Sequence, residues 1–269
     1  MEVGPSILIV GCGNMGGAML AGWLAGAVDP HSITVVDPLL SAAPDGVTLL
    51  RTVPVGAAHD VVLLGFKPQQ LGEAARAIAP AIDADTLVLS LLAGVELETL
   101  RGHFPAAWAV VRVMPNLAAA IGKSPIGLVG DGDACARAMT DTLMAPLGVA
   151  EWLADEAQMD LLTALAGSGP AFVYRFIDAL AAGATALGMD RAQADRLALA
   201  MVEGSAALAA ASAHGPGELA DRVASPGGVT RRGLDVLDAD QRMARLAEDT
   251  LRAARDRSAE MARAARSAG

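Results

Sequence analysis

Short apolar runs punctuate the first half of the chain at helix-sized intervals: Ser6–Val10, Ile33–Asp37, Val61–Phe66, Thr86–Leu91, Ala109–Val113 and Ile126–Val129. Each is rich in valine, leucine or isoleucine and bounded by glycine, proline or aspartate, the pattern of strands. Runs that are apolar on both faces, with helical stretches between them, predict a mostly parallel sheet covered on both sides. A further strand is expected at Val149–Leu153. From about Asp155 the strand signals stop and alanine-rich helical stretches follow one another. Asp155 with Gln158, and Asp190 with Gln193, have the spacing of helix-opening capping boxes. Gly188 stands where a left-handed residue ends a helix. Pro216 suits a first helical turn, and Arg242–Arg266 reads as one long final helix. The pattern therefore predicts α/β plus all-α. A doubly wound, mostly parallel sheet of Rossmann type is expected over residues 1–154, and a helical half over 155–269.

Composition narrows the classes. The chain has 269 residues, 53% of them apolar, enough for a large core. Its formal net charge is −10 and no run of lysine and arginine forms a basic patch. Such a surface repels phosphate backbones and anionic lipid, so neither nucleic acid nor membrane is expected as a partner. The most apolar stretch, Thr86–Val95, is far shorter than the ~20 residues of a membrane span. Arg175 and Asp178 interrupt the apolar helix of Phe172–Leu187. Cys12 and Cys135 make no disulfide framework, and Met1–Pro5 lacks a basic leader segment, so a cytoplasmic location is expected.

The first strand runs into Gly11-Cys12-Gly13-Asn14-Met15-Gly16 and then a helix. In this G-x-G-x-x-G spacing Gly11 permits a tight turn, Gly13 lets a pyrophosphate approach the backbone, and Gly16 lets helix and strand pack closely. The helix N-terminus adds free amides and a positive dipole. A second strand ends in Asp37 at about the ~20-residue spacing of a dinucleotide fold. A carboxylate there can accept from the adenosine ribose and repels a 2′-phosphate, and no arginine or lysine precedes Arg51. The balance falls towards NADH. Asp37-Pro38 is also an ordinary turn opener, which is the plain alternative. Phe66-Lys67-Pro68 ends the third strand, at the expected edge of the cofactor crevice. Lys67 there is one of only two lysines.

Three further segments carry candidate chemistry. Arg112-Val113-Met114-Pro115-Asn116 follows a strand, and Gly167-Ser168-Gly169-Pro170 opens the first long helix of the second half. Ser168 either reaches the nicotinamide or caps that helix. Ser225-Pro226-Gly227-Gly228-Val229-Thr230 is a loop feeding a helix. Its unhindered amides and the helix dipole suit a small carboxylate, and the Thr230 hydroxyl can both accept and donate. The alternative is an ordinary N-cap by Ser225 or Thr230. His31, His59, His103 and His214 share no motif, and nothing has metal-ligand spacing. His214 reads as a surface residue.

Together the G-C-G-N-M-G turn, Phe66-Lys67-Pro68-Gln69, Met114-Pro115-Asn116, Gly167–Phe172 and Ser225–Thr230 resemble the pyrroline-5-carboxylate reductase family, in the same order along the chain. The resemblance implies reduction of the cyclic imine 1-pyrroline-5-carboxylate to L-proline, with NADPH or NADH as cofactor. It implies that Ser225, Gly227, Gly228, Val229 and Thr230 hold the substrate, Ser225 and Thr230 as the catalytic pair. It implies that Phe66, Lys67, Pro68, Met114, Pro115 and Asn116 lie on the nicotinamide side; with Gly11, Gly13, Asn14, Met15, Gly16 and Asp37 of the dinucleotide turn they make the expected cofactor site. The helical half is then a dimerisation domain, giving a homodimer open to further assembly such as a decamer. The family commonly prefers NADPH, against the indication of Asp37. Members of the β-hydroxyacid dehydrogenases share the layout, but resemble one another in a lysine and an asparagine one turn apart on the first interdomain helix, where Val173 and Ile177 stand here. A non-catalytic dinucleotide-binding regulator has no need of Ser225–Thr230.

Overall fold

The computed structural model describes residues 4–267 apart from 55 and 57, with side chains to residue 263. Met1 to Val3, read above for a leader, and the last two residues of the expected helical half lie outside the described residues.

Eight strands form one sheet: β1 (Ile7–Val10), β2 (Ile33–Val36), β3 (Thr48–Leu50), β4 (Val61–Leu64), β5 (Leu87–Ser90), β6 (Ala109–Met114), β7 (Ser124–Gly130) and β8 (Gly148–Trp152). Their order is β3-β2-β1-β4-β5-β6-β7-β8. Neighbours are parallel except that β7 runs antiparallel to β6. The first six strands thus have the order of a dinucleotide-binding fold. Four helices cover the sheet: α1 (Asn14–Ala25), α2 (Leu71–Ile78), α3 (Leu97–His103) and α4 (Ala134–Met144).

Alternation along the strands divides the core into two. Ile7, Ile9, Val61, Leu63, Leu87 and Leu89 cluster with Met19, Leu20 and Trp23 of α1 and Leu143 and Met144 of α4. Leu8, Val10, Val62, Leu64 and Val88 cluster with Leu71, Ala75 and Ile78 of α2 and Leu100 of α3. Each large apolar side chain removed from water contributes about 1.5–3 kcal/mol. Trp23 is fully buried and donates from Nε1 to the Leu143 carbonyl at 2.7 Å, which ties α1 to α4. The short β3 gave no pattern in the sequence, being three residues long. The connection before it, residues 37–47, contains no helix.

The described residues form two compact units: residues 4–167 with 254 onward, and Ser168–Ala253. The sequence texture changes near Asp155, but the next thirteen or so residues stay with the sheet. Asp155 caps a short 3-10 turn by accepting from the Ala157 amide at 2.9 Å. Glu156 Oε1 accepts from the Leu97 amide at 2.8 Å and from Arg112 at 2.6 Å. Leu162 of α5 (Met159–Leu162) lies directly over Gly127, where no Cβ would fit. A π-helical turn, Thr163–Gly167, follows, and Asn116 Nδ2 donates to its Ala166 carbonyl at 2.9 Å.

The second unit contains α6 (Gly169–Ala186), α7 (Arg191–Ala211), α8 (Pro216–Arg222), α9 (Val229–Asp238) and the start of α10 (Arg242–Ser267). Asp190 caps α7 through the Gln193 amide at 3.0 Å, and Gly188 adopts φ +107°. The buried apolar cluster here is small: Ala181, Ala194 and Ala198. Tyr174, Leu187, Leu208, Val236 and Leu246 are exposed. The far end of α10 returns to the first unit, where the Ser258 hydroxyl donates to Asp160 at 2.7 Å.

Candidate active site

The glycine turn joins β1 to α1. Gly11 has φ +85°, and a Cβ on it would stand 2.7 Å from the Phe66 amide nitrogen. A Cβ on Gly16 would stand 2.7 Å from the Gly11 carbonyl oxygen, so the helix can lie this close only without one. Gly13 differs, since a Cβ there meets nothing within 4 Å. Gly13 is the N-cap of α1 and offers no side-chain cap, and the first turn carries no acidic residue. The first amides of a helix have no intrahelical acceptor, so those of Asn14 and Met15 open onto clear space beside Gly13. An uncapped helix start with open space beside it fits the pyrophosphate of a nicotinamide dinucleotide.

Asp37 serves the loop that follows β2. Its Oδ1 accepts from the amides of Leu39 (2.8 Å) and Leu40 (3.1 Å), and its Oδ2 from the amide of Cys12 in the glycine turn (2.9 Å). Burial alone pushes this carboxyl up, but the three amides and the charge of Arg51 outweigh it and hold it below the usual carboxylate range. Burial and the Asp37 charge push the Cys12 thiol up, so it is not a poised nucleophile. The turn-opening role of Asp37 is therefore realised, and one lone pair remains on Oδ2 for a ribose hydroxyl.

The premise that no arginine stands near Asp37 is corrected by β3. Its parallel register, Val36 against Leu50, brings Arg51 alongside Asp37, and Arg51 Nη1 donates to the carbonyls of Asp37 (2.8 Å) and Leu40 (2.6 Å). Fourteen residues of separation vanish once two strands pair. Arg51 was discounted for its distance along the chain because β3 is too short to show a period.

Phe66, Lys67 and Pro68 follow β4, beside the glycine turn: a Cβ on Gly11 would meet Phe66, and the Gly65 amide donates to Val10. Lys67 is exposed, and its backbone amide donates to Gln69's neighbour Gln70 at Oε1, 3.1 Å. Met114, Pro115 and Asn116 follow β6. Asn116 is buried and fully engaged inside the first unit. Its amide donates to Ser124 Oγ (2.9 Å), its Oδ1 accepts from the Ala118 amide (2.9 Å), and its Nδ2 holds the π-helical turn. These segments, with Asp37, leave the carboxyl ends of parallel strands and so share one edge of the sheet. The loop Leu91–Gly94 leaves the same edge from β5, between β4 and β6.

Ser225–Thr230 belongs to the second unit. The Gly228 amide donates to the Ser225 carbonyl at 2.9 Å, closing a turn with Pro226 second and Gly227 third at φ +73°. Proline then glycine in those places is the chemistry of a type II turn. Helix α9 begins at Val229 with Gly228 as N-cap and no side-chain cap. The N-cap alternative for Ser225 and Thr230 therefore fails, and both are exposed. With the Gly228 amide engaged, the amides of Gly227, Val229 and Thr230 remain for an anion. Arg231, next in line, faces away from such a role, because it pairs with Asp221 (3.2 Å) on α8 and with Asp235 and Asp238 (3.4 Å each). This network holds both ends of the loop. His214 is tied to Glu218 (2.8 Å) and Arg222 (2.9 Å), and Ser168 does not cap α6 through its side chain. Among the described residues no group of three or more His, Cys, Asp or Glu is placed to hold a metal ion, and no single helix is long and apolar enough to cross a membrane.

Comparison with known proteins matches both halves. Residues 156–261 match the family model for pyrroline-5-carboxylate reductase dimerisation, and residues 6–94 match that for coenzyme F420-dependent NADP oxidoreductases. The chain is 34% identical to a pyrroline-5-carboxylate reductase of Pseudomonas aeruginosa, over 96% of this chain and 97% of that one. Among solved structures, a pyrroline-5-carboxylate reductase of Coxiella burnetii superposes with a TM-score of 0.89 at 28% identity, covering 95% of this chain and 98% of that one. A pyrroline carboxylate reductase of Plasmodium falciparum, solved with NADP bound, shares the fold with a TM-score of 0.79 at 22% identity, covering 97% and 100%.

Proposed function

The chain belongs to the pyrroline-5-carboxylate reductase family, and we propose on that premise that it reduces 1-pyrroline-5-carboxylate to L-proline, the last step of proline biosynthesis. The observation that carries this is the uncapped start of α9: two hydroxyls and three amides around a Pro-Gly-Gly turn, with no protein partner for the anion they suit.

Bound on the Gly11–Gly16 turn, NADH or NADPH supplies the hydride that the imine carbon receives. The chain's residues bind, orient and exclude water. Gly13, Asn14 and Met15 hold the pyrophosphate, and Phe66, Lys67, Pro68, Met114 and Pro115 line the nicotinamide side, with Asn116 supporting them from behind. The amides of Gly227, Val229 and Thr230 and the Ser225 hydroxyl hold the substrate carboxylate, with Gly228 shaping the turn. The Thr230 hydroxyl accepts from the protonated ring nitrogen and keeps that proton in place as the C=N electron pair becomes the amine lone pair. A protonated imine is already electrophilic, so positioning does most of what is needed. That accords with a site without an acid–base dyad.

The chain carries the family's dimerisation domain. We assign the assembly as a homodimer through the C-terminal helices, able to build a larger oligomer such as a decamer, on the strength of the apolar side chains exposed on α6, α7, α9 and α10. We also assign a cytoplasmic location, and the net charge of −10 supports the absence of nucleic-acid and anionic-membrane partners. The test is loss of reduced-nicotinamide absorbance upon adding pyrroline-5-carboxylate. Thr230→Ala should cut kcat/KM by about tenfold or more while leaving dinucleotide affinity unchanged. No turnover by the wild type with either cofactor would sink the assignment, and a full rate in the variant would remove Thr230 from the site.

A further inference from the structure

We propose that Arg51 engages the 2′-phosphate of NADPH, so that the site accepts both nicotinamide dinucleotides; this rests on the dinucleotide reading of the Gly11–Gly16 turn. Three observations carry it. First, the β2–β3 register and the bond from the Asp37 amide to the Leu50 carbonyl (3.2 Å) bring residues 37 and 51 together at the carboxyl edge of the sheet. That is where a ribose held by the Cys12–Asp37 corner presents its 2′ and 3′ positions. Second, the guanidinium is already fixed. Nη1 donates to the Asp37 and Leu40 carbonyls, while among the described residues Nε and Nη2 have no acceptor, and the side chain is exposed. A planar fork held at one nitrogen and open at the others is matched to a phosphate, and little rotamer freedom is left to lose on binding. Third, the Asp37 carboxylate, which alone would repel that phosphate, is engaged by three amides and sits beside the Arg51 charge. Its repulsion is offset locally, and its remaining lone pair serves one ribose hydroxyl of either dinucleotide.

The test titrates the full-length protein by calorimetry with adenosine 2′,5′-bisphosphate and, separately, with 5′-AMP. Arg51→Ala removes charge and donors. Arg51→Gln keeps a neutral donor for the Asp37 and Leu40 carbonyls, so the loop retains its tie. Both variants are expected to bind the bisphosphate about ten- to a hundredfold more weakly, with 5′-AMP affinity within about twofold of wild type. The salt dependence of bisphosphate binding should also flatten. Unchanged bisphosphate affinity in Arg51→Gln would overturn the proposal, and so would equal weakening of both nucleotides, which marks Arg51 as a loop support alone. NADH-driven imine reduction by the same preparations scores the enzymatic assignment separately, since neither probe contains a nicotinamide or an imine.

Discussion

Gly13→Ala should separate ligand binding from folding. Gly13 has φ −72° and ψ −158°, a conformation open to any residue, and an added methyl meets no protein atom within 4 Å. In the unfolded chain alanine has fewer conformations than glycine, which favours folding by about 0.4–1 kcal/mol. Alanine is also a poorer N-cap than glycine, by a comparable amount. The two nearly cancel, so stability should stay within about 0.5 kcal/mol of wild type, a Tm shift of no more than about 2 °C for a chain this long. The same methyl stands where the pyrophosphate must approach the α1 amides. Losing one charge-assisted hydrogen bond there costs about 1.5–3 kcal/mol, or roughly ten- to 150-fold in Kd. Gly22→Ala, two turns along the same helix, is the control. Its methyl would land on the Ala119 carbonyl and 2.6 Å from Leu147 Cδ2, so backbone must move. Overpacking of about 1–3 kcal/mol or more then exceeds the ~1 kcal/mol that alanine gains in helix propensity. Fluorescence titration with NADH and denaturant unfolding of both variants decide the matter. Unchanged NADH affinity in Gly13→Ala would refute the placement of the pyrophosphate. A stability loss matching that of Gly22→Ala would refute the claim that the space at Gly13 is open.

Three further outcomes follow from the geometry. Donation from the Ser6 amide and hydroxyl, both at 2.7 Å, holds the Asp60 carboxyl below its usual range against burial. Its contribution is therefore present above the unfolded value of about 3.9 and lost as pH falls through the folded one. Asp60→Asn should lower stability at neutral pH and flatten the acid limb of stability against pH, and an unaltered limb in thermal melts would count against it. Glu156→Ala leaves the Arg112 guanidinium, 8% exposed, without its carboxylate and should cost about 3 kcal/mol in denaturant unfolding, much of it recovered by adding Arg112→Met. If the double variant is no better than the single, the loss lies elsewhere, for instance at the Leu97 amide. Finally, Tm should fall on dilution as the apolar faces of the second unit lose their partner, whereas monomer mass in sedimentation at every concentration would rule out the homodimer.

The sheet was legible because both faces are buried: runs such as Ile7–Val10 and Val61–Leu64 must be apolar at every position, and that survives in a one-dimensional pattern. The glycine turn was legible because Gly11 and Gly16 each answer a steric demand at fixed spacing, as their contacts show, and Gly13 keeps the space between them open. The loop at Ser225–Thr230 was legible as a turn before a helix, but whether its hydroxyls cap that helix depends on which residue takes the N-cap, and only the backbone shows that Gly228 does. Asn116 illustrates a different limit. Its position after β6 was readable, yet its side chain turns inward to the π-helical turn, a partner fifty residues away with no pattern of its own.

Asp37 and Arg51 show most clearly what pairing adds. Read along the chain, a carboxylate with no basic neighbour for thirteen residues favours the cofactor without a 2′-phosphate. Parallel pairing of β2 with β3 makes the fourteenth residue its neighbour, and hydrogen bonds from that guanidinium to the same loop fix it there. The carboxylate, meanwhile, is occupied in closing the loop and anchoring Cys12. Selectivity for the 2′-phosphate is thus a property of two strands and the irregular connection between them, and neither residue type alone determines it. If Asp37→Ala loosened the loop and weakened both dinucleotides alike, while Arg51→Gln weakened only NADPH, the division of labour would be established from both sides. A gain in NADPH affinity in Asp37→Ala with no change in NADH would instead return Asp37 to the role of discriminator and leave Arg51 as its brace.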